Sequence, residues 1–556
     1  MRSLLLILFL SISAFSGVNL KNGNFYMSYT DIVSTSKGVT LELTRTYNSK
    51  STHLGWFGYG WGTPFETRLE TISDGSVVIY ENGSGGESRF VPKGGVSPVT
   101  VRKNAKDIIA KVQEKSKLSS KAMNLMYKRL VNDNNYRKVM SAQVGVTLDH
   151  KAGTVLHSFD YGKQALQISD KGYKRVFNSG FVQYFNRDGD LIASADKTGY
   201  RIRLERDKVS KRVKKIFDNK GNQILFSWTS NGYIKNLNSI GDGSASFTYR
   251  GKDLVTSKDV NANKYTFTYD SYHNLTAIKD HQVKNKSEST LKVTYAPKTF
   301  FTTSVSKRDG NVTKYTYKSD PKNKDLHYWT VVEKAGINGQ RYANKFEYEH
   351  KKRSDGSKWL YRTKFVTAGD YKRGKVIGGT TRETYNNECC ELPIKIVQGS
   401  KVTNFAYKDG LMVRKKSSDG SFSKVEYDQR TKKISKVTNN QGWITYAYNK
   451  KGELKTARDN KGRAVNLIYD MNGKITKMVD QDQAKSKRVI SFEYNSLGKP
   501  SQISMAGVGK LVVGYDSFGQ VKKVDSSGGR QIASQVSGAF QKLLSIVKPA
   551  GVNLSL

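Results

Sequence analysis

Proline is scarce. Eight occur in 556 residues, several-fold below the average usage of about 5%, which excludes proline-rich linkers and leaves strand ladders uninterrupted. Cysteine is scarcer still. Cys389 and Cys390 cannot make a disulfide scaffold or a thiolate zinc module; a strained vicinal disulfide and two reduced strand residues both stay open. Acidic residues number 48 against 93 Lys+Arg, a net charge of +45 that excludes an acidic solvating chain. The seven histidines, His53, His150, His157, His273, His281, His327 and His350, show no metal-like spacing. His-Glu-x-x-His, P-loop, Gly-x-Ser-x-Gly and Cys-x-x-Cys patterns are missing as well. No catalytic residue, metal ligand or cofactor site can be named, so the expectation is a protein that is not an enzyme.

The rest of the composition builds a core. Hydrophobic residues make up 37% and aromatics 11%, which excludes global disorder. A chain with 49 Gly and 32 Tyr but little proline fits many β-strands joined by tight turns. At about 150 residues per domain the length suggests three or four domains, unless a repeat fills it.

Residues 1–16 read as a signal peptide: Arg2, an apolar stretch from Leu4 to Ile12, then Ala14-Phe15-Ser16 at the cleavage spacing. A membrane anchor needs about 20 apolar residues, and Lys21-Asn22-Gly23-Asn24 arrive too soon. No other run is long enough to span, and no cysteine follows the apolar stretch to carry a lipid. The expectation is an exported protein of the periplasm, cell surface or medium, for which anionic envelope polymers are nearer partners than nucleic acid.

The informative feature is a recurring tyrosine. Tyr407, Tyr427, Tyr448, Tyr469, Tyr494 and Tyr515 are separated by 20, 21, 21, 25 and 21 residues, and all but the first precede Asp or Asn. Gly452, Gly473, Gly498 and Gly519 each follow their tyrosine by four. The segments before them alternate, as in Ile444, Tyr446, Tyr448 and Val465, Leu467, Tyr469, the period of a strand with one buried face. Asp or Asn starts a turn by bonding the backbone ahead, and glycine supplies positive φ. Each unit of about 21 residues is therefore a hairpin, and successive hairpins extend one antiparallel sheet. The grammar is looser upstream, at Asp188-Gly189, Asn231-Gly232, Tyr269-Asp270 and Asp309-Gly310 before Tyr317; Tyr348 is expected to end another strand.

Two segments depart from it. Ile108, Ile109, Val112, Leu118, Leu125, Met126, Leu130 and Val131 recur at helical spacing, predicting two short helices inserted at 101–141 and lying on the sheet. Ile532, Val536, Phe540, Leu543, Leu544 and Val547 predict an amphipathic helix that stops before Pro549 and Gly551.

These residues resemble the Rhs or YD-repeat family, which includes bacterial polymorphic-toxin shells and the teneurins. Gly23-Asn24-Phe25, Thr30-Asp31, Arg45-Thr46-Tyr47-Asn48-Ser49 and Phe57-Gly58-Tyr59-Gly60-Trp61 look like its N-terminal domain. The resemblance implies a mainly β fold in which repeated antiparallel hairpins coil into a continuous curved or spiral sheet, a partial shell. The expected divisions are a leader at 1–16, an Rhs-type β domain at 17–100, the helical insertion at 101–141, the YD-repeat sheet at 142–530 and a helical tail at 531–556. Toxin-bearing relatives continue into an acidic, proline-rich boundary with autoproteolysis and a variable effector; here the repeats run to Gly528-Gly529 with little chain after them. A sheet of about 37 strands, on the order of 4,000 Å², also falls short of the roughly 6,000 Å² needed to seal a 100-residue guest. An open curl, or a roll filled by its own side chains, is expected.

The family's repeats are associated with carbohydrate binding. Residues 401–530 hold 26 Lys+Arg and 12 Asp+Glu. Lys477 and Lys523 lie eight residues after their repeat tyrosines, Lys436 nine; Thr456 and Gln502 occupy the place elsewhere, and Lys455 and Lys522 sit one position earlier. Stacked hairpins make this a broken row with a step of about 10 Å between equivalent positions. Alternation alone leaves its face open, because apolar residues six and nine after tyrosine have opposite parity. The leading expectation is an exported, non-enzymatic binding or scaffold protein of the bacterial envelope or surface, contacting anionic polysaccharide or a neighbouring cell through Lys436, Lys477, Lys523, Lys455 and Lys522. The alternative is a component or truncated relic of an Rhs toxin-delivery shell, partnered by another YD-repeat chain; a polysaccharide-acting enzyme is a distant third.

Overall fold

The computed structural model describes residues 15–527 and 532, except 37–38, 84, 94, 147–149, 159–163, 197–198, 240–242, 282–289, 308–309, 336–340, 354–357, 373–374, 387–390, 430–432, 451, 472–473, 495–499 and 516–520. Among the described residues, the chain from Val155 to Ser526 forms a single 34-stranded sheet in which strands pair with their neighbours in sequence, except that Lys375–Ile377 and Thr380–Tyr385 both pair with Lys358–Lys372. No pairing among the described residues joins its first and last strands.

The hairpin unit is built as its residues dictate. Asp470 Oδ1 accepts the Lys474 amide at 2.9 Å and Asn449 Oδ1 the Glu453 amide at 2.9 Å, so the turns after Tyr469 and Tyr448 are pinned by the following acid or amide side chain. Gly452 takes φ +79° there. At the tyrosine itself the register shifts: Ala447 faces Thr456 but Tyr448 faces Leu454, and the same step recurs at Tyr407, Tyr427, Tyr469, Tyr494 and Tyr515. Each return strand thus carries one extra residue, a β-bulge.

The bulge explains the tyrosine. Between one unit and the next the ladder runs only as far as Thr456–Asn466, leaving the Leu454 carbonyl two residues beyond it. Tyr469 donates its hydroxyl to that carbonyl at 2.8 Å. Tyr407 reaches Pro393, Tyr427 Met412, Tyr448 Ile434 and Tyr494 Ile475 in the same way, all at 2.7–2.9 Å. Upstream, Tyr249 and Tyr295 cap Ile234 and Leu275, and Trp228 does the same to Val213 through its indole N–H. Strands splay at this end, and a ring wedged between units closes the gap and satisfies the carbonyl.

The inner face of the first part of the sheet is covered by the chain's own N-terminus. Strands Phe15–Asn19, Asn24–Ser36, Val39–Asn48 and Trp61–Gly62 form a small sheet whose Phe25, Tyr29, Leu43, Tyr47 and Trp61 share one core with Ile216, Ile234, Phe247, Phe267 and Ile278 of the large one. Backbone bonds tie it to hairpin ends: the Tyr59 amide to Lys252, the Ile234 amide to Trp56, the Val260 amide to Asp31 and the Thr302 amide to Gly23. The roll is therefore filled here by a folded N-terminal unit, not by the sheet's own side chains alone. A second core joins Val425, Val437, Tyr446, Leu467, Met478 and Ile490 with Ile532.

Three expectations change. The insertion holds three helices, Pro98–Lys115, Ser120–Asn132 and Asn134–Val144, because Asp133 ends the second and caps the third through the Asn135 and Tyr136 amides. They rest on the three-stranded sheet Arg68–Thr71, Val77–Glu81, Gly86–Phe90 and its turn: buried Arg137 meets Asp74, and Lys138 meets Glu87 at 2.8 Å. Tyr348 lies inside the strand Arg341–Lys352, which continues past a bulge at His350 and pairs with the 15-residue strand Lys358–Lys372, so the hairpin unit is stretched here. Separately, Phe15 and Ser16, at the end of the stretch read as a leader, pair with Ser28 and Met27. The leader's first 14 residues, Cys389 and Cys390, and the helix expected after Ile532 lie outside the described residues. No helix among those described is long and apolar enough to cross a membrane.

Candidate polymer-binding face

The bulge settles the parity problem. Ile475 faces Tyr469 and Met478 faces Leu467, both inward, although they are three positions apart, because Thr476 is the extra residue. Ile468 and its partner Lys477 therefore point outward, with Ile468 48% exposed. Lys436 opposite Glu426, Thr456 opposite Ala447, Gln502 opposite Glu493 and Lys523 opposite Gly514 occupy the same place in their hairpins. The sequence-based register is right, and its side is the outer face.

The row is broken where the sequence spacing breaks it: Lys436, Lys477 and Lys523 sit on every second hairpin, four strands or about 19 Å apart, with Thr456 and Gln502 at the steps between. Local acids also temper it: Lys523 bonds Asp525 at 3.0 Å, Lys424 bonds Glu426 at 3.1 Å beside Lys436, and Gln502 bonds Glu493 at 2.6 Å. Lys477 and Lys455 are exposed. Lys455 is itself the extra residue of its bulge, beside Thr456, and Lys522 holds the equivalent backbone position beside Lys523. Lys436 is half-buried because its ammonium lies 5.8 Å from the centre of the Trp443 ring. Trp443, 37% exposed, is the residue that sequence reasoning missed; once the bulge is counted, alternation places it on the outer face.

The repeat tyrosines contribute structure, not charge. Burial pushes the phenols of Tyr407, Tyr448 and Tyr469 up to about 12, so they remain donors throughout the physiological range. Gly473, Gly498 and Gly519 lie outside the described residues, as does the Tyr515 side chain. Several histidines are engaged by carboxylates: His273 with Asp253 at 2.8 Å and His327 with Glu347 at 2.8 Å. Among the described residues no three His, Cys, Asp or Glu converge as metal ligands.

Comparison with known proteins gives two family matches. The family described as Teneurin YD-shell matches residues 167–532, and a domain of unknown function, DUF6531, matches residues 16–90. Among solved structures, the crystal structure of TcdB2-TccC3-TEV is similar at 10% identity and TM-score 0.39, over 90% of this chain and 29% of that one. TcdB2-TccC3 without its hypervariable C-terminal region gives 10% identity and TM-score 0.38, again over 90% and 29%. The Photorhabdus luminescens Tc holotoxin pore gives 10% and 0.36, over 90% and 28%. The chain thus spans under a third of the length of each. No curated protein matches.

Proposed function

Since the chain belongs to the Teneurin YD-shell family, we propose that it is an exported, non-enzymatic binding scaffold of the bacterial envelope or surface, whose outer face holds an anionic polysaccharide or envelope polymer. The observation that carries this reading is the bulge, which turns Lys436, Lys477 and Lys523 to the same outward face of one sheet. Ammonium groups about 19 Å apart engage several repeats of an extended polymer rather than one compact ligand. Attraction of this kind is weak per contact, additive along the chain and screened by salt.

The rival role, a component of a toxin-delivery shell completed by another YD-repeat protein, needs an interior open to a guest. The N-terminal sheet occupying the inner face around Phe247 and Phe267 favours the scaffold over that role. Retention of the full chain on alginate beads at low and high salt tests the proposal. Wild type is retained at low salt and released at high salt, whereas the Lys436→Gln, Lys477→Gln, Lys523→Gln triple variant elutes early with unchanged thermal stability. Absence of wild-type retention, or full retention of the triple variant, overturns it. Duplex DNA beads form the control arm, on which weaker retention is expected.

A further inference from the structure

We propose that a trough on the outer face of the early repeats is a separate site for a short, carboxylate-bearing oligosaccharide. It arises from one strand of small side chains. On strand Leu191–Ala195 the outward positions are Ala193 and Ala195, between Val182 and Tyr184 on one side and Arg201 and Arg203 on the other. Phe217 stands opposite Arg203 on the next strand. The alternate residues Phe185, Leu191 and Ile216 are buried in the core, which fixes the trough on the solvent side.

The Ala195 methyl, flanked by rings and guanidinium groups, leaves a cavity of about 460 Å³ lined by Tyr184, Ala195, Arg201, Arg203 and Phe217, with the Asp196 and Asp218 carboxylates also in its wall. Its flanking strands are two strand spacings apart, about 10 Å, which admits a sugar ring lying on the alanine floor. The Arg201 guanidinium lies 5.5 Å from the Tyr184 ring centre, leaning across that floor. Neither Arg201 nor Arg203 has a carboxylate within ion-pair distance among the described residues. These two acids are engaged in their turns: Asp218 accepts from Tyr200, Lys220 and Asn222, and Asp196 from the Tyr200 amide.

Chemistry selects the ligand. A planar guanidinium fork pairs bidentately with a carboxylate, and two forks on alternate residues of one strand stand about 7 Å apart. The exposed parts of the Tyr184 and Phe217 rings offer apolar surface to the C–H face of a sugar. An acidic sugar satisfies both features. This site shares its ligand class with the lysine face but none of its residues, so the two readings fail separately.

The test is calorimetric titration of the full chain with tetragalacturonate, using maltotetraose as the neutral control. Wild type binds the acidic tetramer and not the neutral one. Arg201→Gln with Arg203→Gln weakens binding by about tenfold or more, as expected for loss of charge-assisted hydrogen bonds. Ala195→Leu, which fills the floor without changing charge, weakens it comparably, and the lysine triple variant binds as wild type. The inference is overturned if wild type does not bind, if the double arginine variant binds normally, or if the lysine triple variant alone loses binding. Should Ala195→Leu not fold, Ala195→Val supplies the steric arm; normal binding by a folded floor variant also overturns the site.

Discussion

Arg45 and Asp31 form an ion pair at 2.6 Å with both side chains sealed from solvent, at 0% and 1% exposure. Asp31 reaches this position as the extra residue between Thr30 and Ile32, where the register of the N-terminal sheet shifts. Arg45 extends onward to Ser257 of the large sheet at 2.7 Å and lies within 5.1 Å of the Trp61, Tyr29 and Phe267 ring centres. The pair is thus the polar centre of the joint between the N-terminal unit and the shell.

That joint should be sensitive to pH in an unusual direction. Burial raises the Asp31 carboxyl to about 6, against the opposing pull of Arg45, with nearby Asp259 adding to the rise. Between the ordinary carboxylate value near 4 and about 6 the folded form holds a proton that the unfolded form has released, so Asp31's contribution to stability falls as pH rises through this window. Subtracting the melting temperature of Asp31→Asn from that of wild type at each pH from 4 to 7 should give a declining curve; a rising one refutes the assignment. Arg45→Met leaves the acid without its partner and should cost about 3–5 kcal/mol at neutral pH.

Tyr469→Phe isolates the repeat's own hydrogen bond. The ring stays in its wedge, but the Leu454 carbonyl loses its donor, at a cost of about 1–3 kcal/mol. Amide exchange should accelerate around residues 454–469 and stay unchanged near the Arg45 joint. A uniform change along the sheet would mean that the hydroxyl acts on global stability instead of on one inter-unit seam.

The repeat was legible because its determinants are local. Tyr-Asp or Tyr-Asn, a glycine four residues on and an alternating approach each act over a few residues, and Asp470 and Asn449 bond as their side chains require. The bulge was hidden in the same stretch. A single extra residue at Thr476 inverts parity, and only the pairing of Ile468 with Lys477 shows which way the lysine points. The filled interior was not legible at all. Arg45 and Ser257 are 212 residues apart, and nothing near either announces the other. Asp133 was a missed local signal: Asn132-Asp133-Asn134-Asn135 reads as a helix boundary once its capping role is considered.

The helical insertion should undock in acid, opposite in sign to the Arg45 joint. Burial pushes the Asp74 carboxyl up, but Arg89, Ser76 and Arg137 outweigh it and hold the group below the ordinary carboxylate range. Its contribution is therefore present above the unfolded value and is lost as pH falls through the lower folded one. Proteolysis within 98–144 should rise below about pH 4. Arg137→Ala, which also removes the 2.6 Å bond to the Leu130 carbonyl, should produce the same cuts at neutral pH while leaving the β circular dichroism intact. Protection of the insertion in that variant would show that its apolar contacts suffice.

A pair of glycine substitutions separates close docking from turn strain. Gly58 has φ +92°, and a Cβ there would stand 2.5 Å from the Lys252 carbonyl oxygen, beside the bond from the Tyr59 amide to that same oxygen. Gly462 has a similar φ of +82° with nothing within 4 Å of the added carbon. Both alanine variants carry the left-handed backbone penalty, about 1–2 kcal/mol. Only Gly58→Ala also forces two backbones apart at the seam between the N-terminal unit and the shell. It should lower the melting temperature well beyond Gly462→Ala and expose the core of Phe57, Phe247 and Phe267 to a hydrophobic dye at temperatures where the repeat sheet keeps its circular dichroism. Equal losses in the two variants would mean that the cost at Gly58 is torsional and that the N-terminal unit shifts to accommodate the methyl group.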